Sequence, residues 1–281
     1  MRFVKLQATG NDFVMIDGRS LKRNWAALAK AMCHRRLGIG SDGLILLLNS
    51  PKADWRMRMF NPDGSEAEAC GNGLRCFARY AIDAGLASPD KALKVETAGG
   101  LRIITPLDEG SSFRVGMGVP KFKPAEIPIT VQVEAPVMDY PLKVRGRKLL
   151  LTFVSVGNPH SVCFVDDLEA FLLSEIGPAV ENHDMFPHRV NFEIARVVSR
   201  RVIRARVWER GAGETLSCGT GACAVAVAAR LHGYVDERVQ LELPGGKLKV
   251  EWDGKGQVYL NGPAEAVFTG EWPDRTVREG Q

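Results

Sequence analysis

Two tetrapeptides carry the reactive side chains of this sequence, Cys70-Gly71-Asn72-Gly73 and Cys218-Gly219-Thr220-Gly221. Each follows a polar, glycine-containing loop and opens an apolar run of helical character. A cysteine at a helix N-terminus faces backbone N–H groups without intrahelical partners and the positive end of the helix dipole, and both favour thiolate over thiol. Two such cysteines on opposite sides of one substrate carbon would form an acid–base pair: one sulfur takes a proton from one face and the other returns one on the opposite face. That exchange inverts a stereocentre, the chemistry of a racemase or epimerase. The N–H groups of both Cys-Gly-x-Gly turns suit a carboxylate and the enediolate-like charge that develops as its α-proton leaves, and Asn72 and Thr220 add side-chain donors. Being thiols, Cys70 and Cys218 could instead form a reversible redox couple.

The elements that must position these turns recur in order. The cysteines lie 148 positions apart, the turns Gly10-Asn11 and Gly157-Asn158 lie 147 apart, and the hairpin pairs Gly99-Gly100 and Gly245-Gly246 lie 146 apart. An ordered set of landmarks at one offset reads as internal duplication. If the halves pack about a pseudo-two-fold axis, Cys70 and Cys218 converge on one cleft.

Strand-like runs are expected at the N-terminus, Val14 to Ile16, Leu44 to Leu48, Trp55 to Phe60, Lys94 to Ile103 around Gly99-Gly100, Phe113 to Val115 and Arg201 to Trp208. Helices are expected over Trp25 to Leu37 with Asn24 as N-cap and Gly38 as stop, Leu74 to Ala84, Leu168 to Ile176 and Ala222 to Leu231. Five prolines between Val119 and Lys148 mark a crossover into the second half, with an edge strand.

Gly38-Ile39-Gly40-Ser41-Asp42-Gly43 fits G-x-G-x-x-G, but a helix precedes it and a strand follows, the reverse of a dinucleotide-binding turn, so it reads as a plain turn.

The 281 residues are 45% hydrophobic and 25% charged with a formal charge of +4, ordinary values that favour two cores and point to neither nucleic acid nor an anionic membrane. The arginines from 196 to 210 carry no known nucleic-acid-binding signature and read as a solvated strand face. Apolar runs are far shorter than a membrane span, and no signal-peptide pattern is present. Six scattered cysteines without C-x-x-C spacing fit a reducing cytoplasm rather than a disulfide framework, and Cys33, Cys76, Cys163 and Cys223 read as buried hydrophobes. No metal-ligand spacing and no Schiff-base lysine is recognisable, so no cofactor is expected.

Asn61-Pro62-Asp63-Gly64-Ser65-Glu66-Ala67-Glu68-Ala69-Cys70-Gly71-Asn72-Gly73-Leu74-Arg75 resembles the signature of the diaminopimelate epimerase family. Glu209-Arg210-Gly211-Ala212-Gly213-Glu214-Thr215 through Gly221 resembles its second motif, and Gly10-Asn11-Asp12-Phe13 and Gly157-Asn158-Pro159-His160 its two asparagine turns. The resemblance runs over essentially the whole chain. It implies cofactor-independent interconversion of LL- and meso-2,6-diaminopimelate, in the route to lysine and peptidoglycan, by a thiolate/thiol pair. Cys70 and Cys218 would be the acid–base groups, with His160 and Glu209 as auxiliaries. Asn11, Asn61, Gly71, Asn72, Asn158, Asn191, Glu209, Arg210, Gly219 and Thr220 would bind substrate. Gly43 stands where some members carry a substrate-contacting glutamine. The implied fold is α/β with mixed sheets: two similar domains, 1–117 with 265–281 returning to it and 118–264, each a curved sheet around the helix its cysteine opens. The partner implied is the small-molecule substrate, with a homodimer as the assembly to be tested. The rival within enzymes is another two-cysteine isomerase of the same fold, such as a proline racemase.

Overall fold

The computed structural model describes residues 1–67 and 70–273. Glu68 and Ala69 of the signature stretch and residues 274–281, assigned above to the first half, lie outside the described residues. The described residues divide into two compact units: residues 1–113 with 263–273, and residues 114–262.

In the first unit the strands are β1 (Arg2–Ala8), β2 (Asn11–Asp17), β3 (Gly43–Leu48), β4 (Trp55–Phe60), β5 (Glu66–Ala67), β6 (Leu93–Thr97), β7 (Gly100–Leu107) and, from the far end of the chain, β18 (Glu265–Glu271). The helices α1 (Trp25–Cys33) and α2 (Gly71–Asp83) follow β2 and β5. The sheet runs β18, β1, β2, β3, β4, β6, β7. The β2–β3 and β4–β6 pairs are parallel, the other pairs antiparallel, and β5 forms a short flap on β4.

The second unit holds β8 (Ser112–Gly118), which begins at the unit boundary, then β9 (Tyr140–Val144), β10 (Arg147–Ser155), β11 (Pro159–Phe164), β12 (Asn191–Ser199), β13 (Val202–Glu209), β14 (Gly213–Thr215), β15 (Arg238–Leu243), β16 (Gly246–Glu251) and β17 (Val258–Pro263). Helices α3 (Leu173–Glu181) and α4 (Gly219–Leu231) follow β11 and β14. The order β9, β10, β11, β12, β13, β15, β16 repeats that of the first unit pair for pair, including parallel β11–β12 and β13–β15 and the flap β14 on β13. Both tight hairpins form: Thr97 pairs with Gly100 and Leu243 with Gly246. The α/β class and the internal duplication are therefore both present in the topology.

Each sheet wraps the helix that its cysteine opens. Helix α4 is a run of small residues whose side chains from Ala222 to Ala229 are all buried, and it packs against β10, β11, β12, β13, β15 and β16. Residues this small let strands approach on every side. Helix α2 is bulkier, with Leu74, Arg75, Cys76, Phe77, Ala78 and Ala81 buried, and packs against β1, β2, β3, β7 and β18. A second apolar layer lies under α1 in the first unit and α3 in the second.

Helices α1 and α3 depart furthest from the expectation. Helix α1 stops at Cys33, not Leu37, because the His34 imidazole takes the Arg36 and Leu37 N–H groups while the N–H groups of Gly38, Ile39 and Gly40 fold back onto the carbonyls of His34 and Met32. Asn24 caps the N-terminus as expected, accepting from Ala27 N–H at 3.1 Å. Helix α3 begins at Leu173, five residues beyond the expected start, because Asp167 accepts the N–H groups of Glu169 and Ala170 and closes a turn there instead.

Candidate active site

Cys70 and Cys218 occupy one structural position in the two units: each is the N-cap of its central helix. In the first unit Gly73 N–H donates to Cys70 Sγ at 3.2 Å, and in the second Gly221 N–H donates to Cys218 Sγ at 3.3 Å. Each helix starts at the glycine after its cysteine, three residues before the apolar run that announced it. A Cβ at Gly73 would sit 3.3 Å from Cys70 Sγ and one at Gly221 3.4 Å from Cys218 Sγ, so these glycines keep the space beside each sulfur open.

In the first unit, Gly71 and Asn72 form the opening turn of α2, and Asn72 Nδ2 donates to Asn11 Oδ1 at 3.2 Å. The Asn11 amide is oriented from the other side: its Nδ2 donates to Asp42 Oδ2 at 2.6 Å. Asp42 thus gives the Gly38–Gly43 turn a task, fixing which end of the Asn11 amide faces Asn72. Asp12 anchors the same corner through Lys5 at 2.7 Å and Arg35 at 2.8 Å, and Lys5 also donates to the Gly40 carbonyl. Partial burial works to raise the Asp12 pKa, but Arg35 and Lys5 outweigh it and hold the carboxyl at about 2. Asn61 opens the loop between β4 and α2, with its amide turned to Ser65 Oγ at 3.0 Å. Gly43 is packed closely, since a Cβ there would lie 3.0 Å from the Phe60 carbonyl oxygen and 3.3 Å from the Phe13 ring.

The second unit brings more of the expected residues together. Thr220 Oγ1 lies 3.4 Å from Cys218 Sγ and accepts from Asn158 Nδ2 at 3.3 Å. Asn158 Oδ1 in turn meets His160 Nε2 at 2.9 Å. Glu209 accepts from Thr215 Oγ1 at 2.6 Å and from the Cys218 thiol. Asn191, buried opposite His160 on the neighbouring parallel strand, donates to the Pro159 carbonyl at 2.9 Å and accepts Arg210 N–H at 2.9 Å, so its amide braces the loop that carries Arg210. The Arg210 guanidinium is exposed and donates to the His188 carbonyl at 3.0 Å.

Electrostatics around Cys218 oppose the thiolate. Burial pushes its pKa well up, and the carboxylates of Glu209 and Glu193 add to that, while Thr220 and Gly221 N–H pull the other way. A helix N-terminus offers an anion about 0.3–1 kcal/mol, less than the several kcal/mol of desolvating a charge, so the resting form of Cys218 is the thiol. The Glu209 pKa is also raised, first by burial, against the hydrogen bonds from Thr215 and Cys218.

Glu193 was not foreseen. It is fully buried on β12, and its Oε1 lies 2.7 Å from His160 Nδ1. The signal was a single carboxylate inside the apolar run Phe192-Glu193-Ile194-Ala195. Thr215 lay within the quoted second motif with no part assigned to it. Among the described residues no group of three or more His, Cys, Asp or Glu side chains is arranged to hold a metal ion.

A family model described as diaminopimelate epimerase matches residues 3–123 and 152–267, the two repeats of this architecture. The chain belongs to the diaminopimelate epimerase family. It is 47% identical over 279 residues to the diaminopimelate epimerase of Moorella thermoacetica, covering 97% of this chain and 99% of that one. It is 49% identical over 277 residues to that of Carboxydothermus hydrogenoformans, with the same coverage. Members of this family are isomerases. Among solved structures, a phenazine biosynthesis protein of the PhzF family from Bacillus anthracis superposes with a TM-score of 0.72 at 19% identity, covering 97% of this chain and 99% of that one. A probable proline racemase from Agrobacterium radiobacter gives a TM-score of 0.68 at 14% identity, covering 99% and 94%. At these identities the superpositions establish the fold alone. No helix among the described residues is long and apolar enough to cross a membrane.

Proposed function

We propose that the chain interconverts LL- and meso-2,6-diaminopimelate without an added cofactor, supplying lysine and peptidoglycan precursors, with Cys70 and Cys218 as its two proton-transfer groups. The observation that carries the reading is the double N-cap. Each sulfur sits at the N-terminus of a central helix and accepts one glycine N–H, with the Asn72–Asn11 amide pair on the first turn of one helix and the Thr220–Asn158 pair on that of the other.

In one direction a Cys218 thiolate removes the α-proton as the C–H electron pair moves into the carboxylate, and the Cys70 thiol donates its proton to the opposite face of the carbon. The product leaves with inverted configuration, Cys218 holds the proton and Cys70 the charge. The reverse direction exchanges these parts. Since Cys218 rests as a thiol, its proton must first leave, and Glu209, which accepts from that thiol and is itself more basic than an exposed carboxylate, is the group placed to take it. The turn N–H groups of Gly71 and Asn72 and of Gly219 and Thr220 stabilise the carboxylate as it gains charge. Asn11, Asn61, Asn158, Asn191 and Arg210 pair the remaining polar ends of a substrate with two ammonium and two carboxylate groups, all of which need partners once desolvated.

The test is α-hydrogen exchange in deuterated water with no cofactor added. Diaminopimelate should exchange and interconvert, whereas proline should not; absence of exchange on diaminopimelate would remove the assignment.

A further inference from the structure

The buried Glu193 has a part to play in this site. The amide of Asn158 gives its Nδ2–H to Thr220 Oγ1, so its Oδ1 faces His160 Nε2, which must be a donor. His160 Nδ1 faces Glu193 Oε1 at 2.7 Å, and a carboxylate only accepts, so Nδ1 donates too. An imidazole that donates from both nitrogens is a cation, and among the groups around it Glu193 is the one fully buried anion in direct contact. The other carboxylate near this ring is Glu209, contributed by β13. Thr220 Oγ1, having accepted from Asn158, directs its own hydrogen to Cys218 Sγ. Glu193, His160, Asn158, Thr220 and Cys218 therefore form one chain in which every hydrogen points from His160 outward, to the carboxylate at one end and toward the sulfur at the other.

We infer that Glu193 is a positioning residue for Cys218: by pairing with a doubly donating His160 it sets the polarity of the Asn158–Thr220 chain so that the Thr220 hydroxyl donates to the sulfur and stabilises its thiolate. With a neutral glutamine oxygen accepting from Nδ1 in place of the carboxylate, the one ring proton stays on Nδ1, Nε2 becomes an acceptor and the Asn158 amide turns over. Thr220 then spends its hydrogen on Asn158 Oδ1, and the Cys218 thiol has to donate to Thr220. No atoms are gained or lost besides that one imidazole proton, which goes to solvent. The first unit differs at the two positions that begin the chain. The residues pairing there are Phe13 and Ile45, since His160 and Glu193 stand 147 and 148 positions beyond them, and both are buried apolar side chains.

The inference rests on the reading of Cys218 as a proton-transfer group only for its catalytic meaning, because its test uses the sulfur and no substrate. The full-length protein is alkylated with iodoacetamide across a range of pH, and the rates at Cys218 and Cys70 are read separately by peptide mass spectrometry. In E193Q the carboxylate charge that opposes the thiolate is lost together with the second imidazole proton, so the lost Thr220 hydrogen bond decides the sign: the rise of the Cys218 rate should move to higher pH, and the rate at pH 8 should fall about tenfold, the loss of one hydrogen bond to a charged sulfur, with Cys70 unchanged. T220V should give the same loss, T220S should restore the rate, and E193Q/T220V should be no slower than T220V alone. An unchanged Cys218 rate in E193Q overturns the inference, as do multiplicative losses in the double variant or an equal loss at Cys70. If E193Q does not fold, N158L interrupts the same chain and carries the same expectations and the same overturning results. A protein that fails to exchange diaminopimelate but shows this pattern loses the proposed substrate and keeps the chain.

Discussion

Cys70 and Cys218 hold the same place in the same topology, yet their surroundings differ in kind. Behind Cys70, a Cβ at Gly73 would first meet Ile45 Cδ1 and Met57 Cε at 3.2 Å; behind Cys218, a Cβ at Gly221 would first meet Glu193 Oε1 at 2.9 Å. In the first unit a partly exposed cluster of Lys5, Asp12, Arg35 and Asp42 grips Asn11, which Asn72 joins to the helix turn, and the fully buried charge on α2 is the cation of Arg75, turned to the Pro263 carbonyl and Thr9. In the second unit the buried Glu193 and His160 and the half-buried Glu209 gather on the Cys218 side of the helix. Duplication supplies two thiols at one structural position, and divergence behind the helices sets an apolar corner behind Cys70 and a carboxylate behind Cys218.

The comparison can be broken most severely at the sulfurs. Replacing either Cys70 or Cys218 by Ala should lower the rate of inversion by about 10³-fold or more, the scale of a lost acid–base group; full activity in C218A would refute the two-base mechanism. Glycine substitution separates the two corners on a smaller scale. G221A should destabilise the protein by about 1–3 kcal/mol, because its methyl displaces a carboxylate pinned by His160 in a packed interior. G73A should cost clearly less, since the ends of Ile45 and Met57 can yield. Chemical denaturation measures both, and equal losses would mean that the Glu193 corner is no stiffer than the Ile45 corner.

The charge cluster of the first unit should show in acid. The Asp12 pKa is lowered to about 2 from an ordinary 3.8, so its stabilising contribution is full above about pH 4 and is lost as pH falls through about 2. Discounted for solvent screening this is about 1 kcal/mol, and in D12N the stability difference from the parent should vanish at the acid end of that window. Finally, E209Q removes an anion that, after burial, is the largest influence raising the Cys218 pKa, so its alkylation profile should move to lower pH while that of Cys70 stays in place. A movement in the opposite direction would show that the Glu209 hydrogen bond outweighs its charge.

Much of this arrangement could be read in the sequence because it depends on local chemistry repeated at one offset. Gly-Gly and Pro-Gly-Gly turns, the cysteine caps and the asparagine turns are set by backbone requirements of a few neighbouring residues, and all recur within two positions of the same spacing. The central helices were placed correctly but began three residues early, at Gly71 and Gly219, because glycines with poor helix propensity are tolerated where the sheet closes around the first turn. Where side chains competed for backbone hydrogen bonds, as His34 and Asp167 do, helix ends moved. Glu193 was missed for a further reason: its partner His160 is 33 positions away, joined to it by a parallel pairing that no local pattern discloses.

One feature of the topology bears on how the protein is made. Strand β18 joins the first unit's sheet beside β1, with Val4 opposite Thr269, after the whole second unit has intervened. On a ribosome the residues of the first unit emerge first, but the sheet around α2 lacks its flanking strand until residues 265–271 appear. The second unit, contiguous in sequence, can be complete by then. The half begun first is thus the half finished last, and during that interval the open edge of β1 is the surface most exposed to pairing with a neighbouring nascent chain.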